Sequence, residues 1–531
     1  MNPNQKLQRL PEYLLTAVTL VFGIGFTLYA GRLVGEGKIS LLVASFSILA
    51  VIALSIKLRE KVWLFIPMCW GLIGQISILP LPFAVRDLAV LYVFASFLLF
   101  KALKLVRIKP PYTYVDALMS LNVAYVVTVF LRNPVGVAAI SSERVGGKPY
   151  LGVVIAYLAY WVLSRVVITP RQGRVMPLLV VASSGLIAFL SILTRTFPSV
   201  VPVLAPLYSG LDPGAYLAQD VKFGETDMRF EGLMFFGKDA ITALCSFFRP
   251  VTILVPVLFG RFTGFILAAA AILASGFRSI VIYAVGIFFL SSFLRRSSRE
   301  LIVPIIVGGF LLAFILFGQG TAFSLPYPVQ RALSFLPGNW DYDAVLSGSG
   351  STEWRTEMWK IALTSDRFIH DKVLGDGFGF TRLQLEQMDA LSGGVRSDEQ
   401  TREIAMIAGD FHSGPLSAIR FVGVVGLIFF YAFIIFLALA AYRLIRRAKG
   451  GPYYIPALFV GLPILMEPFF YTFIFGGYQN ALPTAIFSLG MIKMIEQSMA
   501  VSASIPETSP ALVAPIPRRQ RPLPAFTRAP R

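Results

Sequence analysis

Charge is scarce in this chain: Asp, Glu, Lys and Arg make up 14% of 531 residues, against 56% hydrophobic residues. With a mean hydropathy of +0.71, too few polar side chains remain to cover a water-facing surface, which excludes an ordinary soluble domain and makes the bilayer the solvent. There are two cysteines, Cys69 and Cys245, both inside apolar runs. That excludes a disulfide framework and a thiolate metal site, and both read as small buried hydrophobes. There are two histidines, His370 and His412. No internal repeat of the kind that marks two-halved transporters is visible.

What is present is a succession of apolar runs long enough to cross the hydrocarbon core, which takes about 17 to 25 residues. They lie near 12–31, 39–56, 62–80, 86–104, 114–131, 149–168, 176–195, 239–259, 262–277, 279–294, 301–318, 416–441, 453–475 and 480–496. The first is too long for a signal-peptide core and lacks a small-residue cleavage site, so it reads as a retained helix. The expected fold is an all-α polytopic membrane protein of about fourteen transmembrane helices.

The net charge of +18 would suit nucleic acid, but the basic residues stand in short clusters between apolar runs, where they set topology and meet lipid headgroups. Lys57, Arg59 and Lys61, then Lys101, Lys104, Arg107 and Lys109, then Arg165, Arg171 and Arg174, Arg295, Arg296 and Arg299, and Arg443, Arg446, Arg447 and Lys449 fall in alternate connections. Arg32, Lys38, Arg86, Arg132, Arg144, Lys148 and Arg278 fall in the others. Because cytoplasmic loops carry the excess, both termini are expected in the cytoplasm of a plasma-membrane protein. Residues 1–318 then hold eleven helices with an outer loop at about 196–238, residues 319–415 form one large outer loop with short helices, residues 416–496 hold three more spans, and residues 497–531 are a disordered Pro- and Arg-rich tail.

Three outer features are candidates for chemistry. In SGFRS, Arg278 sits at the outer boundary behind the helix-breaking Gly276, a place where arginines often merely snorkel. In GSGSTEWRTEMWKIAL, Thr352 reads as the N-cap of a helix with an apolar stripe of Trp354, Met358 and Ile361, and with Arg355 and Trp359 on a neighbouring face. Arg355 in such a first turn would join free backbone N–H groups in holding an anion; pairing with Glu357 or Asp366 on an amphipathic surface helix is the plain alternative. The following GDGFGF run, with Gly375, Gly377 and Gly379, specifies a tight turn rather than a nucleotide loop. In FHSGPLSAIRFVGVVG, Pro415 suits the first helical position and Ser413 or Gly414 the cap, which holds His412 at the mouth of a span, where it can act as a general base. Arg249, Arg420 and Glu467 are read as charges within spans; Arg420, about two turns below His412, is placed to join its site and Glu467 to neutralise it, and the sequence by itself fixes neither assignment.

The order of these motifs resembles the bacterial O-antigen ligase and polymerase family. The matching residues are Arg278, Arg355 with Trp359, Gly375 with Gly377 and Gly379, and His412 with Gly423 and Gly426, over roughly residues 240–445. The family often has Asn where this chain has Ser413, and an acid near the positions held here by Ala418, Ile419, Arg420 and Phe421. The resemblance implies a membrane glycosyltransferase of the C type that takes glycan from a polyprenyl (undecaprenyl) diphosphate to a glycan, lipid or protein acceptor in the periplasm of the bacterial inner membrane, with no metal or other cofactor. Arg278 and Arg355 would bind the diphosphate and His412 would activate the acceptor hydroxyl. Ligase and polymerase differ only in acceptor. A transporter or flippase of lipid-linked glycan is the alternative from another class.

Overall fold

The computed structural model describes residues 57–77, 83–102, 110–136, 144–205, 207–210, 230–295, 298–392 and 398–504, with scattered positions between 25 and 55. The expected spans near 12–31 and 39–56 fall almost wholly outside the described residues, as do most of the 196–238 loop and the C-terminal tail. Residues 1–63 form one compact unit and residues 64–531 another. In the first, the described positions between 25 and 35 are helical and Arg32 pairs with Glu36 at 2.7 Å.

In the larger unit every element of any length is a helix, and no strand occurs among the described residues, only isolated bridges. In chain order the principal helices are α1 (Val85–Ala102), α2 (Tyr114–Arg132), α3 (Lys148–Leu163), α4 (Pro170–Thr196), α5 (Glu231–Phe247), α6 (Phe259–Ala274), α7 (Arg278–Arg295) and α8 (Ser298–Gly318). The loop region supplies α9 (Tyr327–Leu333), α10 (Tyr342–Thr364), α11 (Arg382–Ser392) and α12 (Asp398–Ala408), and the last three are α13 (Gly414–Ala448), α14 (Tyr454–Phe473) and α15 (Tyr478–Ser504). Five of these, α2, α4, α7, α13 and α14, are long and apolar enough to cross a membrane. Helices close every backbone hydrogen bond within the segment, which is what lipid demands. Their starts are set locally: Thr169 and Gln172 cap α4 reciprocally ahead of Pro170, and α13 begins at Ser413 with Pro415 in its first turn.

Two expected spans are not continuous helices. The 62–80 run breaks into short turns of helix, Arg59–Leu64 and Phe65–Met68, and leaves helix at Cys69; two glycines, Gly71 and Gly74, follow within five residues, and each brings its Cα against other backbone. The 239–259 run ends at Phe247 because Pro250 cannot continue the ladder, so Arg249 caps a four-residue turn instead of lying inside a span.

Within the larger unit, the connections sort to two ends. At one, Arg443 reaches Tyr114, Tyr453 reaches the Ile168 carbonyl and Lys493 pairs with Asp116 at 2.7 Å. At the other, Arg132 and Arg144 donate to the carbonyls of Leu374 and Asp376, and Tyr471 donates to the Gly414 carbonyl. This division follows the alternation of basic and less basic connections. Asp116 and Lys493, both buried, were not read from the sequence as charges within the bundle; Asp116 lies in the first turn of α2, and Lys493 lies inside α15, which runs on to Ser504.

Candidate functional site

The connector between α12 and α13 is four residues long beyond its glycine, and each is held. Gly409 turns left-handed (φ 75°), its N–H bonds the Met406 carbonyl at 3.1 Å and the Asp410 N–H bonds that of Ala405 at 2.8 Å, a paired C-terminal cap. Phe411 is fully buried in a core with Met358, Ala362, Phe368, Ile369, Met406 and Leu416. The Trp359 indole N–H donates to the Phe411 carbonyl at 2.8 Å. His412 then adopts φ 48°, a left-handed conformation that costs a non-glycine residue about 1–2 kcal/mol. Such strain persists only where surrounding contacts over-determine it.

Those contacts are visible. The imidazole packs against Trp354, 5.5 Å away between ring centres, and Phe475, 5.6 Å away, while its Nδ1 is 3.3 Å from Asp410 Oδ1 without a hydrogen bond among the described residues. The imidazole is 29% exposed and the Asp410 carboxylate 58%, so the site opens to solvent on the carboxylate side. Asp410 was not anticipated, although it stands two residues before the histidine. Phe475, from the segment after α14, leaves no local signal of its place here.

Arg355 is half-buried on α10, one residue from Trp354. Its guanidinium makes no hydrogen bond or close ion pair among the described residues, and the carboxylate acting on it is Asp410. Burial draws its pKa down and Asp410 opposes this, but a guanidinium stays charged at any physiological pH. The carboxylates expected to pair with it are engaged elsewhere, Glu357 with Arg402 and Asp366 with Lys372. Lys372 also holds the Asp366 carboxyl below its usual range.

The helix carrying Arg355 begins earlier than its sequence suggests. Asp341 caps it, accepting from the Asp343 N–H at 3.0 Å, and the helix runs through the glycine and serine residues 348–351. Thr352 is therefore not the cap. Arg355 lies about 20 Å along the axis from the free N–H groups of the first turn, so the helix terminus adds nothing to anion binding there.

Arg278 is at the start of α7, as expected, but its donors serve the protein. Nε donates to the Arg331 carbonyl at 3.0 Å, and Nη2 to Ser334 Oγ at 2.7 Å and to the Ala344 carbonyl at 3.3 Å. It ties the end of α9 to the start of α10. Ala344 and Arg355 are eleven residues apart on one helix, about 16 Å along its axis, which is more than a diphosphate spans. Arg355 and His412 are thus brought together, and Arg278 is not brought to them in this conformation.

The glycine run is a backbone lock. Gly375, Gly377 and Gly379 all have positive φ (83°, 78° and 92°), and a Cβ on Gly375 would come within 2.5 Å of the Gly423 nitrogen. Gly423 itself breaks α13 with φ 69°, ψ 179°, and the break lets the Asp376 and Gly377 N–H groups bond the carbonyls of Arg420 and Phe421, both at 3.0 Å. Asp376 reaches Arg420 Nη1 at 2.7 Å, with side chains 7% and 3% exposed, and also accepts from the His370 and Asp371 N–H groups. So Arg420 does not join the imidazole through its charge. Its stem supports the connector, close enough that a Cβ on Gly409 would meet it at 3.3 Å. Nor does Glu467 neutralise it; Asp376, inside the glycine run, does. Glu467 faces Lys238 deeper in the bundle.

Among the described residues no group of three or more His, Cys, Asp or Glu side chains is arranged to hold a metal ion. No family model matches this chain, and no curated protein matches it.

Proposed function

We propose that this protein is a membrane glycan transferase of the O-antigen ligase and polymerase type, a fourteen-span protein of the bacterial inner membrane with the His412 connector on its periplasmic face. The observation that carries the reading is a half-buried arginine with no hydrogen bond or close ion pair among the described residues, Arg355, in the field of the Asp410 carboxylate, which lies 3.3 Å from the ring of the strained His412. A guanidinium kept available in this way recognises phosphate by paired, charge-assisted hydrogen bonds.

In the reaction, His412 Nε2 takes the proton of the acceptor hydroxyl, and the Asp410 carboxylate, 3.3 Å from Nδ1, offsets the charge the ring gains. The hydroxyl oxygen forms the new bond to the anomeric carbon of the glycan. The bond from that carbon to the diphosphate oxygen breaks with its electron pair, leaving polyprenyl diphosphate, and Arg355 offsets the charge that develops there. Trp354 and Phe475 both pack against the imidazole and offer aromatic surface beside a sugar ring. Arg278 acts at a distance in this conformation, by fixing the start of the helix that carries Arg355.

A lipid-linked glycan transporter is the second reading, favoured by one observation: Asp239 and Glu467 each lie within electrostatic reach of Lys238 inside the helix bundle, where charges mark pathways. Membranes carrying the protein and a polyprenyl diphosphate-linked glycan test both. Longer lipid-linked chains identify a polymerase, glycan on a new acceptor identifies a ligase, and substrate moved across the bilayer unchanged identifies a transporter. Normal transfer by Arg355→Ala and His412→Ala would overturn the enzyme reading.

A further inference from the structure

At the end of the bundle where Tyr453 reaches the Ile168 carbonyl, α1 packs on α3 and the two helices share one tryptophan. Lys101, in the last turn of α1, lies over the Trp161 ring of α3 with Nζ 5.1 Å from its centre. Arg165, just past the end of α3, lies over the same ring at 4.3 Å. It folds back to donate from Nη1 to the Trp161 carbonyl at 2.7 Å and to Ser164 Oγ at 3.2 Å. Phe94, on α1, packs edge-on against Trp161 at 5.5 Å. Two cations from different helices are thereby held at one ring.

No carboxylate compensates them. Neither Lys101 nor Arg165 forms an ion pair among the described residues, and the sequence has no Asp or Glu between Asp87 and Asp116 or between Glu143 and Asp212. Asp116, on the neighbouring α2, is taken: Lys493 pairs with it at 2.7 Å and the Tyr160 hydroxyl donates to it at 2.7 Å. The donors left over are the Lys101 ammonium, Arg165 Nε and Nη2, and the Trp161 indole N–H. None of them meets an acceptor among the described residues.

Next to these donors the surface is apolar and open. Val154 and Tyr157 precede Trp161 by seven and four residues and so continue its face of α3, while Leu98 continues that of Lys101 on α1. They are 53%, 40% and 44% exposed, the exposure of side chains that acyl chains cover rather than protein. Uncompensated cations at the head of an apolar strip match a phospholipid, an anionic headgroup on hydrocarbon tails.

We infer that Lys101, Trp161 and Arg165 form a discrete site for one anionic glycerophospholipid, with its phosphodiester between the ammonium and the guanidinium and an acyl chain along Leu98, Tyr157 and Val154. The guanidinium offers paired hydrogen bonds to the phosphate oxygens and the ammonium a point charge. A headgroup with its own cation would bring positive charge back beside the pair, so the site selects lipids of net negative charge. It lies at the other end of the bundle from the Gly414 carbonyl and His412, and it does not depend on glycan transfer.

The test uses the full-length protein in detergent, without glycan. Native mass spectrometry follows binding of phosphatidylglycerol and of phosphatidylcholine, and thermal melting is recorded with each lipid and with inorganic phosphate. One phosphatidylglycerol should be retained in preference to phosphatidylcholine. Its affinity should fall about fivefold in Lys101→Gln, the scale of one cation at a lipid surface, and further in Lys101→Gln with Arg165→Gln. Arg446→Gln, which removes an exposed cation from the same end, should bind as wild type does. If the double variant is not recovered folded, Lys101→Gln carries the test, because that side chain is exposed and makes no hydrogen bond among the described residues. Equal retention of the two lipids overturns the site, as does an equal loss in Arg446→Gln and Lys101→Gln. Stabilisation by inorganic phosphate as large as that by phosphatidylglycerol overturns the lipid as its occupant. Since no transfer is measured, these failures leave the enzyme reading standing, and loss of the enzyme reading leaves the lipid site standing.

Discussion

Asp410 Oδ1 lies 3.3 Å from His412 Nδ1 across a fully buried Phe411. The two polar side chains are therefore anchored by the apolar residue between them, and the Trp359 indole secures that residue's carbonyl. Replacing Asp410 by Asn keeps the shape but removes the negative charge 3.3 Å from Nδ1 that offsets the proton the ring takes up. Asp410→Asn is expected to lower kcat of glycan transfer by at least about 10²-fold, the scale of general-base catalysis. Steady-state kinetics with melting curves check this: KM and melting temperature should move little.

Arg355→Lys keeps the charge and loses the planar fork. Paired recognition of a diphosphate depends on that fork, so KM for the lipid-linked donor should rise about tenfold or more, equivalent to about 1.4 kcal/mol. A Lys variant indistinguishable from wild type in KM would remove Arg355 from phosphate recognition.

Breaking the Asp376–Arg420 pair leaves a buried charge without its counter-ion. Arg420→Ala or Asp376→Ala is expected to destabilise by about 3–5 kcal/mol, and an apolar double replacement, Asp376→Leu with Arg420→Met, by much less. Thermal melting and limited proteolysis of the 365–380 segment measure the difference. Equal losses in the single and double variants would contradict a buried pair.

Gly423→Ala and Gly375→Ala should each abolish the fit of the glycine run on α13. At Gly423 a Cβ would come within 2.1 Å of the Val373 carbonyl oxygen, and both glycines have positive φ. Gly260→Ala is the control, since nothing lies within 4 Å of a Cβ there. Folded yield and melting temperature should fall in the first two and hold in the third.

Trp359→Phe keeps the packing but leaves the Phe411 carbonyl without its indole donor. A buried carbonyl without its donor costs about 1–3 kcal/mol, and the connector should loosen. Amide exchange across residues 409–413 is expected to quicken, with a partial loss of transfer; unchanged exchange would show that the indole does not hold the connector.

Local chemistry was legible where neighbours in sequence decide it. The start of α13 follows from Ser413–Pro415, the stripe of Trp354, Met358 and Ile361 does face the core under the connector, and the turning role of Gly375, Gly377 and Gly379 follows from their spacing, whereas α4 begins at Pro170, six residues before the run expected from 176. The start of α10 was not legible. Thr352 is a good cap residue in a Gly–Ser stretch, but Asp341 caps first, and a helix already under way continues through weak formers because each added residue gains a hydrogen bond.

Pairings across the chain belong to the tertiary structure. Nothing near Arg420 points to Asp376, forty-four positions away, or directs Phe475 to the ring of His412. Sequence alone determined the solvent, the helical class and the residues that bend the backbone, because composition and backbone sterics act over a few neighbours. Only the tertiary structure decided which charges satisfy each other: Asp376 takes Arg420, backbone carbonyls take Arg278, and Arg355 is left facing Asp410. In a medium that cannot solvate a lone charge, that allocation rests on distances between helices, and these exist only once the helices have packed.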